Sequence, residues 1–201
     1  MINIKKIAIL FISAGVIMLL SSVWKIDNVK NNQHIALQQA KVALETKQKK
    51  PISIKKVDEN IGDDENSDEL PVNVLGVLYL PTIEGELPII EGTNEEQLEY
   101  GVGYYTASSM PGENNQILLS GHRDTVFKRL GDLRVGDEVM IDVSYGSFVY
   151  KIVDTEVVDA DDTTVIRSTY PEELLTISTC YPFRYIGNAP QRYIVYAKPV
   201  S

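Results

Sequence analysis

The chain has a single cysteine, Cys180, at the end of the apolar run "ELLTISTC" and just before the aromatic, proline-containing stretch "YPFRY". One of only two histidines, His122, follows "ILLSG", and Arg192 opens "RYIVYA". Each of the three stands where an apolar run begins or ends. A rigid strand can hold a side chain there, at the rim of a β-structure. Their chemistry is mutually consistent. A neutral thiol is a weak nucleophile near pH 7, and a neighbouring imidazole favours its thiolate. The same imidazole can then protonate a leaving amine. A guanidinium is always charged and offers forked donors that can hold a carbonyl or a developing oxyanion. Together the three can perform acyl transfer through a thioester. Taken singly, each has a plainer reading: a small packing hydrophobe, a surface histidine and a solvated arginine. Arg184 and Arg167 are rivals to Arg192, and spacing alone leaves these alternatives open.

The elements that must position these groups lie between Val74 and the C-terminus. "NVLGVLYLP" and "ELPIIEG" read as short strands rich in Val, Leu and Ile, the first stopped by Pro81. In "GTNEEQLEYGVGYY", Thr93 and Glu96 have the spacing of a capping box and predict a short helix. "NQILLSG" is a compact apolar strand. In "DEVMIDVSYGSFVYKIVDTEVVDA", Val139, Ile141 and Val143 alternate, as do Phe148, Tyr150 and Ile152 across a turn near Tyr145–Gly146, so a hairpin is predicted. "ELLTIST" and "QRYIVYAKPV" supply the last two runs. Strands at this spacing imply an all-β sandwich or closed barrel with short helices.

Two further segments precede this domain. Ile7 to Trp24 carry no charge and follow Lys5 and Lys6. Residues 1–24 therefore read as a short cytoplasmic N-terminus and a transmembrane signal-anchor, single-pass, with the rest of the chain outside. A cleaved signal peptide fits less well, because the exit "SSVWKID" lacks a small-x-small site. Residues 25–73 read as a polar, partly disordered stem. Ile35, Leu37, Val42 and Leu44 have helical spacing, and an acidic run, "VDENIGDDENSDELP", resembles a solvated tether. No function is assigned to His34. The net charge of −9 and pI near 4.8 argue against nucleic acid as a partner, although much of that charge sits in the stem. With one cysteine and two histidines the chain offers no disulfide and no ordinary zinc site.

The segment "LLTISTCYPFRYIGNAPQRYIVYA" resembles the signature of the sortases, cysteine transpeptidases of Gram-positive cell surfaces. Their pattern is a T-L-x-T-C strand end with an arginine about a dozen residues on. Here "LTISTC" stands for the strand end, with Ile177, Ser178 and Thr179 in place of the commonest residues, and Arg192 matches the arginine. "LLSGHRDT" matches the family's histidine segment, and the resemblance runs from about Val74 to Val200. It implies an eight-stranded closed β-barrel over residues 74–201. It further implies Cys180 as nucleophile, His122 as general acid/base, and Arg192 as substrate clamp and oxyanion donor. Ser120 and Thr179 would be supporting, substrate-binding residues. The implied reaction cleaves an LPxTG-like sorting signal after Thr and passes the surface protein to an amine of the cell-wall peptide. "TCYPF" with the spacing G-x-A-P-x-R is most like class D. Class A, a pilin-polymerising sortase, and a cysteine hydrolase without amine transfer are the alternatives. A papain-like order is disfavoured, because His122 precedes Cys180. No cofactor is expected. Some sortases bind calcium through acidic loops, but "DADDTT", Asp159 to Thr164, is read as a solvated turn.

Overall fold

The computed structural model describes residues 4–48, 70–185 and 187–200. The acidic part of the expected tether, residues 57–69, lies outside them. A long helix, α1 (Ile4–Gln48), is followed by strands β1 (Val74–Leu80) and β2 (Gly85–Glu91) and a one-turn helix α2 (Glu95–Leu98). Strands β3 (Val102–Tyr104), β4 (Gln116–Gly121), β5 (Glu138–Val143), β6 (Gly146–Asp159), β7 (Leu174–Tyr181) and β8 (Gln191–Pro199) complete the fold. They form a closed barrel in the order β1-β2-β3-β4-β7-β8-β6-β5, with β1 hydrogen-bonded to both β2 and β5. Closure removes the exposed strand edges that an open sheet would leave. The joints β2/β3 and β4/β7 are parallel; the rest are antiparallel.

Period-2 alternation sends one face of each strand inward. Val139, Ile141 and Val143 on β5 and Tyr150 and Ile152 on the neighbouring β6 point into the core, as do Leu175 and Ile177 on β7 and the paired Ala197 and Val195 on β8. The β5/β6 hairpin closes at the pair Val143↔Gly146, as the alternating sequence predicts. The connection from β4 to β5 folds across the end of the barrel where β4 and β7 finish. It contributes Val126, Phe127, Leu130 and Leu133 to the same core. Each such side chain, fully buried, stabilises the fold by about 1.5–3 kcal/mol. A smaller cluster of Val165, Ile194 and Tyr196 lies beneath the β6–β7 connection, with Leu174 and Val158 packed on it.

One local expectation is corrected, and two features go beyond the sequence reading. The predicted capping box does not form: the short helix α2 begins after Asn94, and among the described residues no side chain caps it. Strand β3 has no counterpart in the sequence reading. Its three residues, Val102–Tyr104, are too few for alternation to register, and Gly103 admits the backbone of Gly92 at 2.4 Å from where a Cβ would sit. The other feature concerns the stem. α1 does not stop at Trp24 but continues to Gln48. Its second half lies on the barrel with Ala36 and Ala40 buried, while Val42 is exposed and Leu37 and Leu44 are half-buried. The contact face follows 33/36/40/44 rather than the larger apolar residues alone, because small side chains let a helix approach a sheet closely. The apolar part of α1 is long and apolar enough to cross a membrane, and it is not buried against the barrel.

Candidate active site

Strands β4, β7 and β8 are neighbours, and their registers place the three chemically capable residues at one end of the barrel. Cys180 on β7 is paired directly with Arg192 on β8. The last pair between β4 and β7 is Gly121↔Thr179, so the next residue on the histidine side, His122, lies beside Cys180. Inward positions on β7 are Leu175, Ile177 and Thr179; Ser178 and Cys180 point to the outer face and are half-buried. Arg192 alternates with the inward-facing Tyr193 and shares that outer face. Cys180 is a free thiol. The Arg192 guanidinium donates to the carbonyls of Gln191 (3.1 Å) and Ala189 (3.4 Å), and among the described residues it makes no ion pair. The rival arginines stand elsewhere: Arg167 is in the β6–β7 connection with its backbone N–H on Gln116, and Arg184 is exposed in the loop after β7.

The two residues expected to flank the site divide by orientation. Ser120 is half-buried and opposite Ser178 on the outer face. Thr179 is buried, and its hydroxyl donates to the Gly121 carbonyl at 2.7 Å. Thr179 thus ties the cysteine strand to the histidine strand from inside the barrel. Gly121 must be glycine: a Cβ would sit 2.7 Å from both Val126 and Phe127. Phe127 in turn donates its backbone N–H to the His122 carbonyl at 3.0 Å, which fixes the turn that carries the imidazole.

One wall of the outer face is the connection between β6 and β7, and side chains at the start of β4 hold it. Gln116, almost fully buried, donates through Nε2 to the Val165 carbonyl (2.7 Å) and Thr176 Oγ1 (2.9 Å), and accepts from the Arg167 N–H (2.9 Å). Asn115 Oδ1 accepts from the Thr169 N–H (2.8 Å) and the Ser168 hydroxyl (3.2 Å). Burying an amide this deeply is tolerable only because its donors and acceptor are satisfied. A cavity of about 250 Å³ lies between this wall and Tyr105, Ala107 and Ser108. Further along the same connection, Asp162 accepts from the Thr164 N–H (2.9 Å) and hydroxyl (2.6 Å), and the Thr164 hydroxyl holds its carboxyl below the usual range. Among the described residues no group of three or more His, Cys, Asp or Glu is placed to hold a metal ion.

Sequence reasoning passed over Arg123, next to His122. It is buried, and its guanidinium donates to the carbonyls of Pro182, Tyr185 and Gly187 in the loop that follows Cys180. "HRDT" looks like an exposed polar turn, and nothing in the sequence signals that one of its charges is buried. Tyr181, Phe183 and Tyr193 also pack ring against ring beside Cys180, with centroids 5.3–6.2 Å apart. Phe183 packs closely on Gly131, where a Cβ would meet it at 2.6 Å.

The chain is similar to known proteins in sequence and in fold. The sortase domain family model matches residues 78–200. The chain is 55% identical over 126 residues to Sortase D of Bacillus subtilis, covering 63% of this chain and 64% of that relative's length. Among solved structures, a Clostridium perfringens Sortase D5 transpeptidase is 28% identical with a TM-score of 0.65, covering 85% of this chain and 99% of that one. Sortase C1 of Streptococcus agalactiae is also 28% identical, with a TM-score of 0.59 over 64% of this chain and 68% of that one. The family model spans more than half of the chain, and the closed eight-stranded barrel is the fold shared with these solved structures: the chain belongs to the sortase family.

Proposed function

We propose that this chain is a membrane-anchored cysteine transpeptidase that cleaves an LPxTG-like sorting signal after Thr. The observation that carries the reading is the pairing of Cys180 on β7 with Arg192 on β8, while the other neighbour of β7, strand β4, ends at Gly121 just before His122. Cys180 Sγ attacks the threonine carbonyl carbon, and its proton passes to His122. Arg192 donates to the oxyanion that forms. The tetrahedral species collapses as His122 protonates the departing amine, which leaves an acyl thioester on Cys180. An incoming amine then attacks the thioester carbonyl and gives up a proton to His122. The new amide leaves and the thiol is restored.

The outer face has room for an extended substrate. With the threonine of the signal at Cys180, its leucine, three residues earlier, lies about 10 Å back along the face at roughly 3.3 Å per residue, and the cavity near Gln116 and Ile166 lies further along the same face. The class D likeness and the N-terminal helix support a surface enzyme with its N-terminus inside, its barrel on the cell-wall side, and a cell-wall amine as acceptor. The test is to incubate the full-length chain in detergent with an LPxTG peptide and hydroxylamine, a small amine nucleophile. Peptide–hydroxamate formation that disappears in Cys180→Ala is expected. Cleavage to free acid alone would favour a hydrolase, and no Cys180-dependent product across signal variants would sink the proposal.

A further inference from the structure

We infer that Arg123 is a positioning residue that sets the separation of His122 and Cys180 by bracketing them with the Thr179–Gly121 hydrogen bond. The inference rests on the roles proposed above for those two residues. On one side, Thr179, just before Cys180, donates to the carbonyl of Gly121, just before His122. On the other side, Arg123, just after His122, donates through Nη1 to the Pro182 carbonyl (3.1 Å), two residues after Cys180. Nη2 adds the carbonyls of Tyr185 (2.7 Å) and Gly187 (3.0 Å). The histidine and the cysteine are therefore pinned to each other both before and after the reactive atoms.

The burial of Arg123 is hard to explain otherwise. It is only 7% exposed, yet its nearest carboxylate is Asp124, largely solvent-exposed and 3.5 Å from Nε. Among the described residues, Nε itself is buried without a hydrogen-bond partner. A buried cation held by neutral carbonyls, with one donor unmatched, is a poor way to gain stability. It is a good way to fix a loop, because one planar fork fixes three carbonyls at once. The Tyr185 ring covers the guanidinium, its centroid 5.9 Å from the central carbon. Gly187 adopts φ 100°, a left-handed conformation that glycine tolerates and that turns its carbonyl to the fork. Phe183, in the same loop, plugs the barrel end against Tyr193. The loop after Cys180 is thus seated by an aromatic plug and drawn to the histidine turn by Arg123.

The test compares the full-length chain in detergent with Arg123→Gln and Arg123→Lys, using an LPxTG peptide with hydroxylamine, thermal melting, and alkylation of Cys180 by iodoacetamide at pH 7. Lysine keeps the charge and the aliphatic stem but cannot span three carbonyls. It is the milder change and decides the question where Arg123→Gln does not fold. In the folded variants kcat should fall roughly 10- to 100-fold, the scale of a small misplacement of reacting groups. KM should stay within about twofold, because Arg123 faces the loop and not the substrate. Alkylation should be no faster than in the parent. Unchanged kcat with a lowered melting temperature would make Arg123 a structural prop and overturn the inference, as would a loss of kcat accompanied by faster alkylation, the mark of a loop that has simply come away. A parent chain without Cys180-dependent turnover defeats the proposed function first, and this inference with it. Failure confined to the variants defeats only this inference.

Discussion

Three arginines near the cysteine look alike in sequence, and register separates them. Arg192 is opposite Cys180, Arg184 is exposed in the following loop, and Arg167 is in the wall. Arg192→Ala is therefore expected to lower kcat/KM by roughly 100-fold or more, the loss typical of an oxyanion donor. Arg184→Ala should leave it within about threefold, a change too small to be a lost charged contact. The reverse ranking in steady-state peptide assays would overturn the assignment of Arg192. Thr179 poses a finer question, since its hydroxyl is engaged inside the barrel rather than in the groove. Thr179→Val keeps the shape and leaves the Gly121 carbonyl without this donor, at a cost of about 1–3 kcal/mol. Thr179→Ser should retain the bond, and with it melting temperature and kcat. A serine variant as impaired as valine would show that the methyl group matters and the hydrogen bond does not. That Cys180, His122 and Arg192 each stand at a strand boundary was legible in the sequence, but spacing left plainer readings of each open, and the roles proposed for them come from the resemblance to the sortase signature. Arg123 was not legible, because its partners are backbone carbonyls about sixty residues away that no side-chain pattern announces.

The wall of the groove is an irregular element that owes its order to side chains from a strand. Gln116 and Asn115 make five hydrogen bonds between them to the β6–β7 connection and to β7. Gln116→Ala would strip the Arg167 N–H and Val165 carbonyl of their partner. It should raise KM for an LPxTG peptide several-fold with a smaller effect on kcat, because on the proposed reading the wall holds the peptide and takes no part in the bond changes. With the wall held by amides, turnover is expected to be the same in EDTA and in millimolar calcium; a several-fold calcium activation would show that an ion completes the wall. A second tie lies at the far end of the same barrel strands. Glu173 accepts from Tyr150 (2.7 Å) and from the N–H groups of Gly112 (2.8 Å) and Asn114 (3.2 Å). Burial, then the bond to Glu173, raises the Tyr150 pKa above its ordinary value. A group with a raised folded pKa contributes stability that is fully present below its unfolded pKa and lost as pH rises above it. The barrel should therefore lose stability above about pH 10, and Tyr150→Phe should flatten that alkaline limb in denaturant titrations. An unchanged limb would assign it to other tyrosines. The β5/β6 hairpin was legible from alternation and most other strands from their apolar runs, and the short helix α2 was expected where it lies, though not capped as expected. β3 was not legible, since three residues carry too little periodicity, and its conformation is set by the neighbours that Gly103 lets approach.

At the scale of the molecule, one helix performs two tasks that the sequence presents as separate segments. The apolar half of α1 is exposed on the protein, while the polar half is docked on the barrel through Ala36 and Ala40, with Lys41 paired to Glu86 and Lys25 to Glu99. The sequence hid this because the helix's two buried contacts are alanines amid polar residues, a composition that reads as tether. The dock contacts β1 and β2, and in the closed order β1 is four strands from β7 in either direction, as β2 is from β8. The helix is thus on the wall opposite the groove, and the anchor leaves the groove uncovered. Ala40→Phe should force the two apart, at the cost of about 1–3 kcal/mol expected of overpacking. Proteolysis after Lys30 and Lys41 should then quicken in the full-length chain, while turnover of a soluble LPxTG peptide stays within about twofold, because the helix docks on β1 and β2, well away from the proposed site. Slower turnover in proportion to undocking would mean that the helix reaches the groove through the barrel wall. Equal proteolysis of parent and variant would mean that the two alanines do not hold the helix in place.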